Sequence, residues 1–266
     1  MEGHLPNRPI RVTLDYEVTM PDWTHFPNAP IVEAILDVRA TLPPDVDLAR
    51  LASLHDALKD DYPFIAERVS WRNELQLHSN GSYNPGSSRV GPDGYFLRAR
   101  DGRQAVIFSL DGFTFSRQRP YENWTTFFTS AWSMWEQYRQ AVVPRSVSRL
   151  GLRYINRLPL PLPFADFREY VLTTPEVAPA LPQGLMGFFL RLVLPMEALD
   201  CVAVVSETME NPEGSVLPFI LDIDVFRVGS FRPDSAEIPV VFDQLREAKN
   251  TIFFNSITGK ARELFK

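Results

Sequence analysis

Apolar and polar residues alternate from residue 10 to residue 18. Ile10, Val12, Leu14, Tyr16 and Val18 share one face, and Arg11, Thr13, Asp15 and Glu17 the other. A period of two marks a strand with one buried face. After a loop rich in Pro and Asn, residues 31–40 alternate again. Val32, Ala34, Leu36 and Val38 form the apolar side, while Glu33, Asp37 and Arg39 share the opposite side with Ile31 and Ile35. Asp47 then stands where a helix cap belongs, ahead of the stripe Leu48, Leu51, His55, Leu58 and Tyr62. Strands are predicted at 71–78, 95–100 and 104–115. The Gly-, Ser-, Asn- and Pro-containing stretch 80–94 reads as a loop, and Asp101-Gly102 as a hairpin turn. Trp124, Phe127, Phe128, Ala131, Trp135 and Tyr138 follow helical spacing. An aromatic stripe of that kind is predicted to cover a sheet.

The order begins again after Pro144. Strands are predicted at 147–158, 188–194, 201–209 and 217–228, with a short helix at 164–172 and a long one at 238–254. The long helix carries Ile238, Val241, Phe242, Leu245 and Ile252 on one face. Thr258-Gly259 interrupts it before a last helical turn. The recurrence extends to residues. Asp111-Gly112-Phe113 leads to Arg119-Pro120, and Asp224-Val225-Phe226 leads to Arg232-Pro233, an offset of 113 residues in both cases (111 to 224, 119 to 232). These observations predict an α+β protein of two tandem β-α-β-β-β-α units, 28–145 and 146–266, preceded by an extension, 1–27, with an added strand. Joining two such units edge to edge about a pseudo-twofold axis removes one exposed strand edge from each. The result is one mostly antiparallel, curved sheet with helices on one face and polar side chains on the other.

Composition narrows the function. A net charge of −6 gives no general basic surface for phosphate backbones, so nucleic acid is not an expected partner. The only cysteine, Cys201, lies in an apolar run and reads as a small core residue. One cysteine makes neither an internal disulfide nor a cysteine-based zinc site. The start of the chain lacks the basic and apolar regions of a signal peptide, and no window approaches a membrane span, which predicts a cytoplasmic protein.

Three segments carry a resemblance. They are Asn28-Ala29-Pro30-Ile31-Val32-Glu33-Ala34-Ile35-Leu36-Asp37-Val38-Arg39, Arg149-Leu150-Gly151-Leu152-Arg153-Tyr154-Ile155-Asn156-Arg157, and the closing stretch from Leu245 to Thr258. Together they resemble a sporadically distributed prokaryotic family of uncharacterised proteins, over residues 28–266. The resemblance brings no catalytic assignment. Its patchy distribution suits horizontally moved genes such as toxin–antitoxin or phage-defence loci.

The chain has no Walker loop, Gly-rich dinucleotide fingerprint, nucleophile elbow or H-E-x-x-H motif. Its four histidines, His4, His25, His55 and His78, are scattered. Two constellations remain. Arg149, Arg153 and Arg157 share one strand face, where guanidiniums can hold phosphate or carboxylate. Asp222 and Asp224 share another, with Glu207 on the preceding strand, and could hold a divalent cation. The competing reading pairs these charges, with Glu33, across the sheet. The expectation is therefore a non-enzymatic binding protein without a cofactor, acting on a protein partner or as a homodimer. The alternative is a phosphate- or nucleotide-handling enzyme using Mg2+ or Mn2+. Leu97-Arg98-Ala99-Arg100 and Phe108-Ser109-Leu110 resemble strands of the triphosphate tunnel enzymes, although Glu33, Asp37 and Arg39 replace that family's closely spaced glutamates and lysine.

Overall fold

The computed structural model describes residues 25–77 and 83–266. The strand expected at 10–18 and His78 lie outside the described residues. The remainder forms one nine-stranded sheet in the order β2-β3-β4-β5-β1-β6-β9-β8-β7, with every neighbouring pair antiparallel. Its strands are β1 (Ile31–Thr41), β2 (Phe64–Leu77), β3 (Tyr83–Arg98), β4 (Gln104–Ser109), β5 (Gly112–Gln118), β6 (Ser146–Pro161), β7 (Phe189–Met196), β8 (Cys201–Met209) and β9 (Val216–Phe231). The helices are α1 (Leu48–Leu58), α2 (Trp124–Val142), α3 (Glu237–Ser256) and α4 (Gly259–Glu263). The two halves meet at β1 and β6, so the sheet crosses the 145/146 boundary without a break.

Alternate residues of the central strands are buried: Ala34, Leu36 and Val38 on β1, Leu150, Leu152 and Tyr154 on β6, Leu221, Ile223 and Val225 on β9. The helices cover this face. In α2, Trp135 packs at a tilt against Phe113, and Tyr138 lies parallel to Phe108 while its hydroxyl donates to the Ser109 carbonyl at 2.8 Å. Asn123 caps the helix by accepting from the Thr126 amide, and Asp47 caps α1 by accepting from the Arg50 amide. Phe242 and Leu245 of α3 are buried, as the stripe predicts. Trp124 and Phe128 depart from it. They sit half-buried between α2 and α3, where Trp124 donates to Asp243 and Phe128 packs on Phe242.

Several predicted boundaries are corrected. Residues 83–94 are not a loop but belong to β3, and β2 begins at Phe64. Glycine is needed in this strand because β4 approaches closely: a Cβ on Gly94 would sit 2.3 Å from the Phe108 carbonyl oxygen. The predicted strand 104–115 is two strands joined at Leu110-Asp111, with Ser109 paired to Gly112. Gly112 adopts φ +149, and a Cβ there would meet the Val38 carbonyl oxygen at 2.1 Å. The helix expected at 164–172 is a single 3-10 turn, Phe167–Glu169, closed by a capping box on Asp166. The first half therefore holds five strands and an 11-residue helix where the second holds four strands and that turn.

Candidate functional site

Among the described residues the sheet face opposite the helices is uncovered and carries a ladder of paired charges. On β6 the buried Leu150, Leu152, Tyr154 and Leu158 send Arg149, Arg153 and Arg157 to the opposite side, as strand periodicity requires. Arg149 lies at the centre. Its Nη1 is 2.8 Å from Asp37, its Nη2 is 3.2 Å from Asp224, and its guanidinium stacks 4.4 Å from the centre of the Phe226 ring. Gly151 makes this possible, because a Cβ there would come within 2.5 Å of the same guanidinium. Arg153 holds Asp222 bidentately at 2.8 and 2.6 Å. Arg157 reaches two acids that the sequence did not suggest, Glu210 at 2.7 Å and Glu213 at 2.6 Å. Glu33 makes no ion pair among the described residues, though its charge helps hold the Arg153 guanidinium in its charged form.

The ladder continues from Asp37 to Arg39 at 3.2 Å, from Arg39 to Asp111 at 2.6 Å, and from Asp111 to Arg68 at 3.0 Å. Hydroxyls complete the carboxylates: Thr114 donates to Asp37 at 2.9 Å and Ser109 to Asp111 at 2.6 Å. A cavity of about 530 Å3 opens over the centre, lined by Ile35, Ile107, Thr114, Gly151 and the charges of Asp37, Arg149 and Asp224. Burial pushes the Asp224 carboxyl above the usual range, against the pull of Arg149 and Arg153. Burial also acts on Asp111, but the Ser109 hydroxyl, Arg39 and Arg68 outweigh it and hold that carboxyl below its ordinary value.

Glu207 does not belong to this cluster. It pairs with Leu190 and Leu221 on the helix-covered side of β8, is 1% exposed, and leaves Oε2 without a partner. Burial alone pushes it up to about 7. Asp222 and Asp224 are committed to arginines, and among the described residues no group of three or more His, Cys, Asp or Glu side chains is placed to hold a metal ion. His55 lies in the α1 stripe and bonds the Tyr62 carbonyl at 2.9 Å, a structural contact. Cys201 is a buried free thiol.

No family model and no curated protein matches this chain.

Two further cavities bear on function. The larger, about 890 Å3, lies beside the 3-10 turn, and its charged lining is already paired: Arg168 with Asp166 and Glu176 within the lining, and Glu210 with Arg157 outside it. The smaller, about 170 Å3, lies on the helix side and holds Arg246 and Lys249 of α3 above Tyr154 and Asn156 of β6. Sequence reasoning assigned these residues no role. The available signal was two cations three residues apart on an otherwise apolar helix face, but a strand and a loop distant in the chain complete the cavity.

Proposed function

We propose that the protein is a binding module, cytoplasmic and non-catalytic, that docks a protein partner on its uncovered sheet face. The observation that carries this is the pairing of every arginine in the central triad. Arg149, Arg153 and Arg157 already hold carboxylates at 3.2 Å or less. Capture of a phosphate would have to break those pairs, whereas a protein partner can bury an apolar patch while the already paired charges at its rim fix register. Exposed apolar side chains for such a patch are present on the same face: Phe189 is 70% exposed, Val193 55% and Val228 70%. Among the described residues the strand order is open, with β2 and β7 as edges, and does not resemble the closed barrel that lines a triphosphate.

The proposal includes ancestry. The strand order outward from the centre is β1-β5-β4-β3 in one wing and β6-β9-β8-β7 in the other, and a long helix follows the inner return strand of each. This supports two diverged copies of one unit, the first having gained β2. It also fits the resemblance to a sporadically distributed prokaryotic family, with the partner encoded nearby in a toxin–antitoxin or defence locus.

Two measurements test the reading. Co-expression with the products of neighbouring genes should yield a complex that Phe189→Asp weakens ~10-fold or more, equivalent to about 1.4 kcal/mol. Thermal-shift titration with millimolar triphosphates and Mg2+ or Mn2+ should leave Tm unchanged. A rise in Tm that Arg153→Met abolishes would replace the docking reading with a phosphate-handling enzyme.

A further inference from the structure

The cavity of about 170 Å3 lies on the opposite side of the sheet from the charge ladder and is independent of docking there. Tyr154 and Asn156 of β6 form its floor. The segment 25–31 leading into β1, the start of α2 and one face of α3 form its walls. Among the described residues no aspartate or glutamate lines it, yet Arg246 and Lys249 both face it. Among the described residues neither has a carboxylate partner. The Arg246 guanidinium lies 5.6 Å from the centre of the Trp124 ring; Lys249 Nζ lies 4.1 Å from the centre of the Tyr154 ring and donates to Asn250 Oδ1.

Two like charges in a partly buried, ring-lined space oppose each other and lose hydration, which disfavours the arrangement unless a counter-charge completes it. A hydrogen-bond donor is present as well. The Tyr121 and Tyr154 hydroxyls are 2.8 Å apart, so one donates to the other and the second keeps a proton to give. The remaining lining includes the rings of Phe26, Trp124, Phe253 and Phe254 together with the amides of Asn123 and Asn250. A cavity of roughly 150 Å3 accepts a benzene-sized body. We propose that this cavity binds a small organic carboxylate with an aromatic or compact apolar body, its charged end held by Arg246 and Lys249 and its body lodged among the rings. Inorganic phosphate matches the cations but leaves the ring surface unused.

Lys249 supplies a diagnostic. Burial first, and the neighbouring Arg246 second, lower its ammonium to about 7. Among the described residues the other titratable groups facing the cavity are His25, Tyr121 and Tyr154, and none of these side chains is a carboxylate. An arriving carboxylate favours the charged amine, so binding near pH 8 draws a proton from buffer.

The test uses the full chain with benzoate, its neutral isostere benzamide, and inorganic phosphate, followed by thermal shift and calorimetry. Benzoate is expected to raise Tm at millimolar concentration, with benzamide and phosphate at least ~10-fold weaker. Lys249→Met and Arg246→Met should each weaken benzoate ~10-fold or more. Calorimetry of the wild type in buffers of different ionisation enthalpy should show proton uptake at pH 8, and Lys249→Met should abolish it. Should one variant fail to fold by circular dichroism, the other and the wild-type proton uptake still decide. The proposal is overturned by no benzoate binding, by benzamide binding equally well, by phosphate binding in preference, or by retention of benzoate affinity in the variants.

Discussion

Glu207 shows what a single residue can contribute on this fold. It occupies a core-facing position of β8 between Leu190 and Leu221, with one carboxyl oxygen unpartnered. Strand alternation could have placed it there. Cys201, Ala203 and Val205 define the buried phase, and Glu207 continues it. The sequence reading instead grouped it by charge with Asp222 and Asp224, which occupy the opposite phase of β9. Its stability consequence has a definite sign. A carboxyl held at about 7 when folded, against 4.5 as its ordinary value, binds more protons folded than unfolded between those limits. Its contribution is therefore most favourable below about pH 4.5 and is lost as pH rises towards 7. Glu207→Gln should stabilise the protein by on the order of 2 kcal/mol at pH 8 and leave it nearly unchanged at pH 4.5. Urea titrations at the two pH values check this, and an equal effect at both would exclude burial of an ionised carboxylate.

At the scale of elements, legibility depended on whether side chains or main chain determine the structure. The α2 stripe was legible because packing repeats at helical spacing. Trp135 is fully buried against Phe113 and Tyr138. Trp135→Ala should cost about 3–5 kcal/mol through lost burial and the cavity left behind. The loss is tempered because the indole Nε1 has no hydrogen-bond partner to forfeit. Chemical denaturation measures it, and a loss below about 1 kcal/mol would mean that the stripe is not core. The β4–β5 hairpin was hidden, yet a signal existed. Val106 and Phe108 are buried at even positions, Phe113 and Phe115 at odd ones. A single strand cannot change phase without a turn or bulge. β3 was illegible for another reason: its glycines and Pro85 imitate a loop, while the partners that pair with its main chain, β2 and β4, lie elsewhere in the chain. Asn156 is buried within β6 and donates to the Leu221 carbonyl at 3.0 Å, a contact that only the distant β9 supplies.

For the whole molecule, the seam between the halves is where the charge ladder has its largest consequence. Arg149 on β6 joins Asp37 on β1 to Asp224 on β9, so one guanidinium ties three adjacent strands at the centre of the sheet. Arg153 instead makes a single pair with Asp222, and its side chain is 45% exposed against 25% for Arg149. Solvent screens the more exposed pair, so Arg153→Met should cost no more than about 1 kcal/mol. Arg149→Met would leave two partly buried carboxylates facing the same cavity without their shared cation. It should cost on the order of 2 kcal/mol at pH 7, a figure reduced from that of fully buried pairs because water reaches the site. The two variants should also differ in pH response. Burial already raises the Asp224 carboxyl, and without Arg149 the cation that offsets this most is gone. Arg149→Met should then recover stability relative to wild type as pH falls through the carboxylate range, because protonation of Asp224 removes the charge that lost its nearest partner, whereas Asp37 keeps Arg39. Denaturation of both variants at pH 7 and pH 4 measures the difference. Equal costs at pH 7, or no recovery at pH 4, would show that the central ladder does not hold the two halves together electrostatically.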